Sequence, residues 1–320
     1  MTPGGEVAAA NLLPIVEAPV VRRRLPEWFR VRLPVGEALE LFNLTRGAVG
    51  DNSLHTVCEE ARCPNIHDCW GRGTATFMVA GQSCTRGCRF CSVETLRAPE
   101  LPDVDEPEHL ADAVERLKLA YVVVTVVNRD DLADGGAGHY RRCVEAVHRR
   151  LPAVGVELLS SDLAGHWAAL EALLMGLPLA VFAHNVECVP RLDRTVRDPR
   201  ASFQQSVEVL RRAKVLRPDL PTKTSLMAGI GETDDEVVEA LGRLREADVD
   251  LLTMGQYLAP GRTDSRFLPV DRFVPPEQFA AWKATARELG FKGVAAGPLV
   301  RSSYRAETLW REAIAGRATG

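Results

Sequence analysis

The sequence predicts an α/β protein built on parallel strands joined by crossover helices. Three features carry that expectation. Short β-branched runs recur from residue 74 onward. Amphipathic segments with apolar residues at i, i+3, i+4 and i+7 lie between them. Polar or cysteine-bearing stretches follow the strand candidates, where parallel α/β sheets place their active sites. Six such units form either a partial barrel or an open doubly wound sheet, and periodicity does not choose between the two. At 320 residues and 46% hydrophobic content, the chain can bury the core that either requires.

Residues 1–30 are rich in Ala, Pro and Val without periodicity and predict a poorly ordered segment. Residues 31–73 carry a first cysteine group among scattered Gly, Pro and Asn, which predicts irregular chain around a metal. The strand–helix series fills residues 74–290, and a C-terminal segment, 291–320, follows. Its strand candidates are residues 74–80, 121–127, 156–160, 179–184, 222–229 and 250–255. Helices are predicted over 108–119 and 235–247, the second capped by a Thr or Asp of "GETDDE". After successive strands come "CTRGCRFC", "NRDDLADGG", "SSD", "HNVE", "GIGET" and "QYLAPGR".

A net charge of −4 gives no general attraction to nucleic acid or to a membrane surface. No apolar stretch approaches the roughly 20 residues of a membrane span. The N-terminus lacks the order of a secretory signal, and Glu6 and Glu17 argue against a transit peptide. A cytoplasmic protein is expected. Eight cysteines, six of them between Cys58 and Cys91, are too bunched for a disulfide scaffold and read as metal ligands.

Cys84, Cys88 and Cys91 are spaced C-x3-C-x2-C, a tight loop that can turn three thiolates toward one centre. Read from the residues alone, this suits a 4Fe–4S cubane with one open iron, a zinc loop completed from elsewhere, or buried free thiols. Phe90 is placed to shield such a centre from water. Gly135 and Gly136 in "DLADGG" permit close approach of a ligand or make a plain turn. Cys58, Cys63 and Cys69, spaced C-x4-C-x5-C, lack a fourth cysteine, although His67 would complete a Cys3His zinc site.

"CTRGCRFC" after a first strand resembles the radical S-adenosylmethionine enzymes. "CEEARCPNIHDCWGRGTATFM", "RDDLADGGA", "GETDDE", "LTMGQYLAP" and "GPLVRSSYRAE" are similar, in that order, to the lipoyl synthase family within them. The likeness runs from about Trp28 to about Glu307, and its C-x4-C-x5-C and "RSSY" motifs are highly specific. It implies a partial (β/α)6 TIM-like barrel with an N-terminal cluster-binding extension and a C-terminal segment closing the site. It implies two 4Fe–4S clusters, one on Cys84, Cys88 and Cys91 with an iron open to S-adenosylmethionine. An auxiliary cluster would sit on Cys58, Cys63 and Cys69, with Ser303 of "RSSY" as fourth ligand and Ser302 as the alternative. Each cysteine group is then one short for its own reason.

The resemblance further implies sulfur insertion at carbons 6 and 8 of an octanoyl chain on a lipoyl carrier domain or H protein. The auxiliary cluster would be the sulfur donor, and two S-adenosylmethionine molecules would be used. Electrons would come from a low-potential ferredoxin or flavodoxin, and iron–sulfur assembly proteins would load the clusters. Gly135, Gly136, Asn185 and Glu187 are the candidates for cofactor contact, with His184, Arg194 and Arg197 nearby. Lys223, a cation inside a strand, is expected to face the barrel interior, and Cys143 to be a buried apolar residue. Departures from the family pattern fall at Val126, Ser160, Ser161, Ala183, Asp193, Thr224 and Ser225. They leave room for a divergent two-cluster enzyme on another acyl substrate, and the remaining rival is a non-catalytic iron–sulfur sensor.

Overall fold

Strand order decides between the two architectures. The computed structural model describes residues 24–31, 33–51, 55–60, 63–71, 75–260 and 265–318. Its strands are β1 (His55–Thr56), β2 (Thr76–Val79), β3 (Ser83–Cys84), β4 (Glu94–Thr95), β5 (Tyr121–Val126), β6 (Gly155–Leu159), β7 (Val181–Ala183), β8 (Thr222–Ala228), β9 (Leu251–Gln256) and β10 (Gly293–Gly297). The main sheet runs β1-β2-β5-β6-β7-β8-β9-β10, and β3 pairs with β4 apart from it. From β2 to β10 the order follows the chain and every pairing is parallel. A doubly wound sheet reverses at a switch point, whereas this one winds in one direction only. It is a partial barrel, open between the β10 edge and the edge where β1 pairs antiparallel with β2.

All six expected strands are present. Thr74, the first residue of one candidate, lies outside the described residues. β10 is a seventh parallel strand, "GVAAG", inside what was expected to be a separate C-terminal segment. Its composition hides it. A Cβ on Gly293 would lie 2.8 Å from Leu251 Cδ2, so the packing selects a residue without β-strand propensity. The helices are α1 (Glu37–Asp51), α2 (Val57–Glu60), α3 (Ile66–Trp70), α4 (Glu106–Arg116), α5 (Ala137–Arg150), α6 (Trp167–Leu174), α7 (Asp193–Val196), α8 (Phe203–Leu216), α9 (Asp234–Glu246), α10 (Pro276–Glu288) and α11 (Ala306–Ala318). Thr233 caps α9 in a reciprocal box with Glu236.

The N-terminal extension is more regular than its composition predicts, being largely helical over α1, α2 and α3. Of the segment expected to be poorly ordered, residues 1–23 lie outside the described residues. Residues 24–30 hold a short turn whose Phe29 packs edge-on against Phe273 at 5.6 Å.

Outward-facing strand residues such as Val122, Val124 and Leu158 pack under the helices. Inward-facing ones meet α11: Tyr121, Val123, Val181 and Leu251 pack with Ala306, Trp310 and Ala313. Tyr121, Val181 and Leu251 begin their strands, so α11 forms a floor at the N-terminal end of the barrel. Lys223 lies in that interior, 2.7 Å from Glu157, which also accepts from Tyr121 Oη at 2.9 Å. The opposite, C-terminal mouth is left for chemistry.

Asp250 secures the last strands. Its carboxylate accepts from Lys214 and Lys292, both at 2.5 Å, and from the Thr222 N–H at 3.0 Å. Burial pushes this carboxyl up, but the two ammonium groups and the N–H together outweigh it and hold it below its ordinary value. Asp250→Ala strands Lys214 and is expected to cost about 3–5 kcal/mol in urea unfolding at neutral pH. The folded pKa lies below the unfolded value of about 3.9, so this contribution is full above it and is lost as pH falls through the folded pKa. The difference between wild type and variant should therefore narrow only in acid.

Candidate active site

The loop from Gly81 to Cys91 begins where β2 ends, and its neighbours are the C-terminal ends of four strands. The Thr85 N–H donates to Asn128 O at 3.0 Å and its hydroxyl to Asp130 at 2.9 Å, both just past β5. Arg86 reaches Asp130 through Nε and Nη2 at 2.9 and 2.8 Å, and Asp162, past β6, through Nη1 at 2.7 Å. Past β7, Asp198 accepts from the Gly87 N–H at 3.0 Å, and Val196 O from the Arg89 N–H at 2.9 Å. The Leu268 N–H, beyond β9, donates to Arg89 O at 3.0 Å. The Arg86 side chain is 4% exposed; burial lowers its pKa, but the two aspartates more than restore it.

These ties gather Cys84, Cys88 and Cys91. Burial, above all, pushes Cys84 up, Cys88 to about 11 and Cys91 to about 12; the Cys84 charge adds to the shift at Cys88, and the Cys88 and Cys84 charges to that at Cys91. Backbone N–H groups already point at the sulfurs, from Arg86 to Cys84 at 3.4 Å and from Asp198 to Cys88 at 3.3 Å. Donors aimed at crowded, half-buried sulfurs suit thiolates bound to a cationic centre.

The expected cofactor contacts divide. Gly135 and Gly136 both have positive φ, +64° and +91°. A Cβ on Gly135 would meet Leu163 Cα at 2.9 Å, and one on Gly136 the Tyr140 hydroxyl at 2.6 Å. Tyr140 Oη donates to Gly135 O at 2.9 Å, and Asp134 takes the Gly136 N–H. Packing against the protein's own chain thus accounts for both glycines. Glu187, also left-handed at φ +66°, is drawn in beside the cysteines, and its charge raises Cys88 and Cys91. Burial pushes the Glu187 carboxyl up, while Arg197 and a hydrogen bond with Asn185 oppose the shift. His184 is walled in between Ser160 O at 2.8 Å and Ser206 Oγ at 2.9 Å; burial lowers it to about 4 and keeps it neutral.

The first cysteine group is built from the edge of the barrel. The Cys63 N–H donates to Cys58 O at 2.9 Å, and the Cys69 N–H to Asn65 O at 2.9 Å. Cys58 is buried, and burial raises its thiol to about 11; the Trp70 indole faces it, with no acceptor for Nε1 at normal hydrogen-bond geometry. Phe42 stacks on Trp70 at 5.5 Å and on His67 at 5.1 Å. Onto this group folds the segment after β10. Asn65 Nδ2 donates to Leu299 O, and Tyr304 Oη to Asp68 Oδ2 at 3.1 Å. Burial raises the Cys63 thiol, and the Arg301 charge opposes that shift and favours the thiolate. The motif holding Ser302 and Ser303 is thereby docked on the first cysteine group, across the open seam of the barrel.

Among the described residues, the one set of three His, Cys, Asp or Glu ligand atoms lying within 4.8 Å of one another is Glu106, His139 and Cys143. Neither cysteine triad is drawn that tight. Arg86, Asp130, Asp162 and Asp198 were not singled out from sequence. Arg86, Asp130 and Asp162 lie inside stretches noted for their place after strands and Asp198 follows Arg197, and "CTRGCRFC" with its two basic residues was the available signal.

A profile of the radical SAM superfamily matches residues 78–244, and one of the N-terminal domain of lipoyl synthase matches residues 15–63. Lipoyl synthase from Halorhodospira halophila is 52% identical over 90% of this chain and 84% of its own length. That from Thermus thermophilus is 46% identical over 98% and 96%, and the human mitochondrial one 48% over 93% and 80%. Among solved structures, the FeFe-hydrogenase maturase HydG from Carboxydothermus hydrogenoformans superposes with a TM-score of 0.53 at 11% identity, over 87% of this chain and 75% of that one. This last likeness speaks for the fold alone. No helix among the described residues is long and apolar enough to cross a membrane. By both profiles and by relatives at about half identity over nearly its whole length, the chain belongs to the lipoyl synthase family of radical S-adenosylmethionine enzymes.

Proposed function

We propose that this lipoyl synthase carries two 4Fe–4S clusters, one on Cys84, Cys88 and Cys91 and an auxiliary one on Cys58, Cys63, Cys69 and Ser303. When bound, these clusters and S-adenosylmethionine supply hydrogen abstraction and the two sulfurs that enter carbons 6 and 8 of a protein-bound octanoyl chain. The observation that carries the reading is the contact of the "RSSY" segment with the first cysteine group, through Tyr304–Asp68 and Leu299–Asn65. It brings a serine-bearing turn to a triad that lacks a fourth ligand. A serine oxygen is a hard donor among soft sulfurs and is released more readily than a thiolate, which suits a centre that must open.

The protein's own part is to bind, orient and exclude water. Arg86 and its aspartates fix the loop of the second group against the strand ends. Asn185 and Glu187, beside that loop, are the residues we assign to the polar end of S-adenosylmethionine. Gly135 and Gly136 shape the neighbouring turn. The octanoyl chain arrives on a lysine of a lipoyl carrier domain or H protein, the electron from a ferredoxin or flavodoxin, and the clusters from iron–sulfur assembly proteins. We place the protein in the cytoplasm.

Iron and sulfide content after anaerobic reconstitution tests the cluster count. About eight irons should fall to about four when Cys58, Cys63 and Cys69 are all replaced by alanine. A wild type that holds four irons, or takes zinc, would remove the auxiliary cluster and sulfur insertion with it. The ligand assignment has a separate test. Ser303→Ala should still release 5′-deoxyadenosine from S-adenosylmethionine yet form no lipoyl product by mass spectrometry, whereas Ser302→Ala keeps both. Reversed behaviour of the two variants would move the ligand to Ser302.

A further inference from the structure

β2 gives way to the cysteine loop at Ala80, which is fully buried and left-handed, with φ +71°. A Cβ disfavours that conformation. Two charged side chains grip the residue from opposite sides. Glu106 Oε2, at the start of α4, accepts the Ala80 N–H at 2.8 Å, and Arg129 Nη1 donates to the Ala80 carbonyl at 2.9 Å. Each gripping group is itself held. His139 Nε2, on α5, lies 2.5 Å from Glu106 Oε2, while Arg142 Nη2 donates to His139 Nδ1 at 3.3 Å. Asp131 takes Arg129 Nε and Nη2 at 2.9 and 2.7 Å. The Arg129 side chain is wholly buried and that of His139 nearly so.

Cys143 lies beside Glu106 and His139, so the trio also has the composition of a metal site. Its surroundings oppose that use. A histidine ligand donates its distal N–H to an acceptor, but Nδ1 here faces a guanidinium. Glu106 Oε2 is already shared between two partners.

We propose instead that Glu106, backed by His139, and Arg129, backed by Asp131, are positioning residues that hold Ala80 left-handed and so aim Cys84, four residues on, at the common centre with Cys88 and Cys91. The proposal rests on the reading of those three cysteines as cluster ligands. It predicts a specific rescue, because glycine adopts positive φ without help.

The test uses the full chain with Cys58, Cys63 and Cys69 replaced by alanine, so that iron reports only the second group. Iron loss to a ferrous chelator is timed, and the electron paramagnetic resonance of the reduced protein is recorded with and without S-adenosylmethionine. Glu106→Ala should lose iron about tenfold faster and weaken the spectral response to S-adenosylmethionine. Glu106→Gln, which keeps an acceptor for the Ala80 N–H, should stay near the parent. Adding Ala80→Gly to Glu106→Ala should restore parental iron retention. A folded Glu106→Ala protein that retains iron like the parent, or a double variant no better than the single, would overturn the clamp. Arg129→Met, with and without Ala80→Gly, repeats the test from the other side if Glu106→Ala does not fold. A parent that binds no iron would instead sink the cluster reading, and the clamp with it.

Discussion

A single buried guanidinium joins the separate parts of this site. Arg86 sits inside the second cysteine motif, yet its partners, Asp130 and Asp162, belong to the ends of two different strands. An isolated cation there would be costly, and three charges taken out of water together are tolerable only because the geometry is bidentate on Asp130, which Thr85 also supports, and Gln205 supports Asp162. The cysteine loop is consequently rigid relative to the barrel. Three half-buried cysteines can be presented to one centre only by a loop that holds its shape before anything binds there.

The open seam gives the second constraint. A sheet of seven parallel strands that does not close leaves one edge at β2 and another at β10. The N-terminal extension covers the first edge and the chain after β10 covers the second. Their meeting, at Asn65 with Leu299 and Asp68 with Tyr304, does what a further strand pair would do in a closed barrel. Steric fit makes that meeting close. A Cβ on Gly255 would fall 2.0 Å from Val300 O, so this position near the end of β9 must lack a side chain for the "RSSY" segment to lie on it. Below, α11 fills the interior that a closed barrel packs with its own side chains.

The departures from the family pattern are absorbed locally. Thr224 Oγ1 accepts the Val186 N–H at 3.2 Å and Ser225 O the Glu187 N–H at 3.1 Å, which steadies the loop carrying Asn185 and Glu187. Asp193 accepts the Phe203 N–H at 2.7 Å. The Ser161 hydroxyl takes the Leu163 N–H at 3.3 Å, whereas the buried Ser160 hydroxyl has no partner among the described residues. The side chains of Thr224, Asp193 and Ser161 thus serve backbone turns beyond the strands.

Six of the seven parallel strands, the polar loops at their C-terminal ends and both cysteine groups were legible in the sequence, because they depend on local pattern: β-branched runs buried on both faces, and cysteines a few residues apart. β10 was not, since its small residues answer to a close neighbour distant in sequence. Nor was the helical character of α1, α2 and α3: Asn43, Gly47 and Gly50 lie inside α1 itself, and packing of Phe42 on Trp70 joins α1 to α3. The glycine pair was legible as a turn, but only the structure shows Leu163 and Tyr140 filling the space its missing side chains leave. Sequence alone determined which cysteines stand together. Tertiary structure alone decided which charges surround them, because Arg86 meets Asp162 across 76 positions and Tyr304 meets Asp68 across 236, and no local pattern encodes a contact made at that separation.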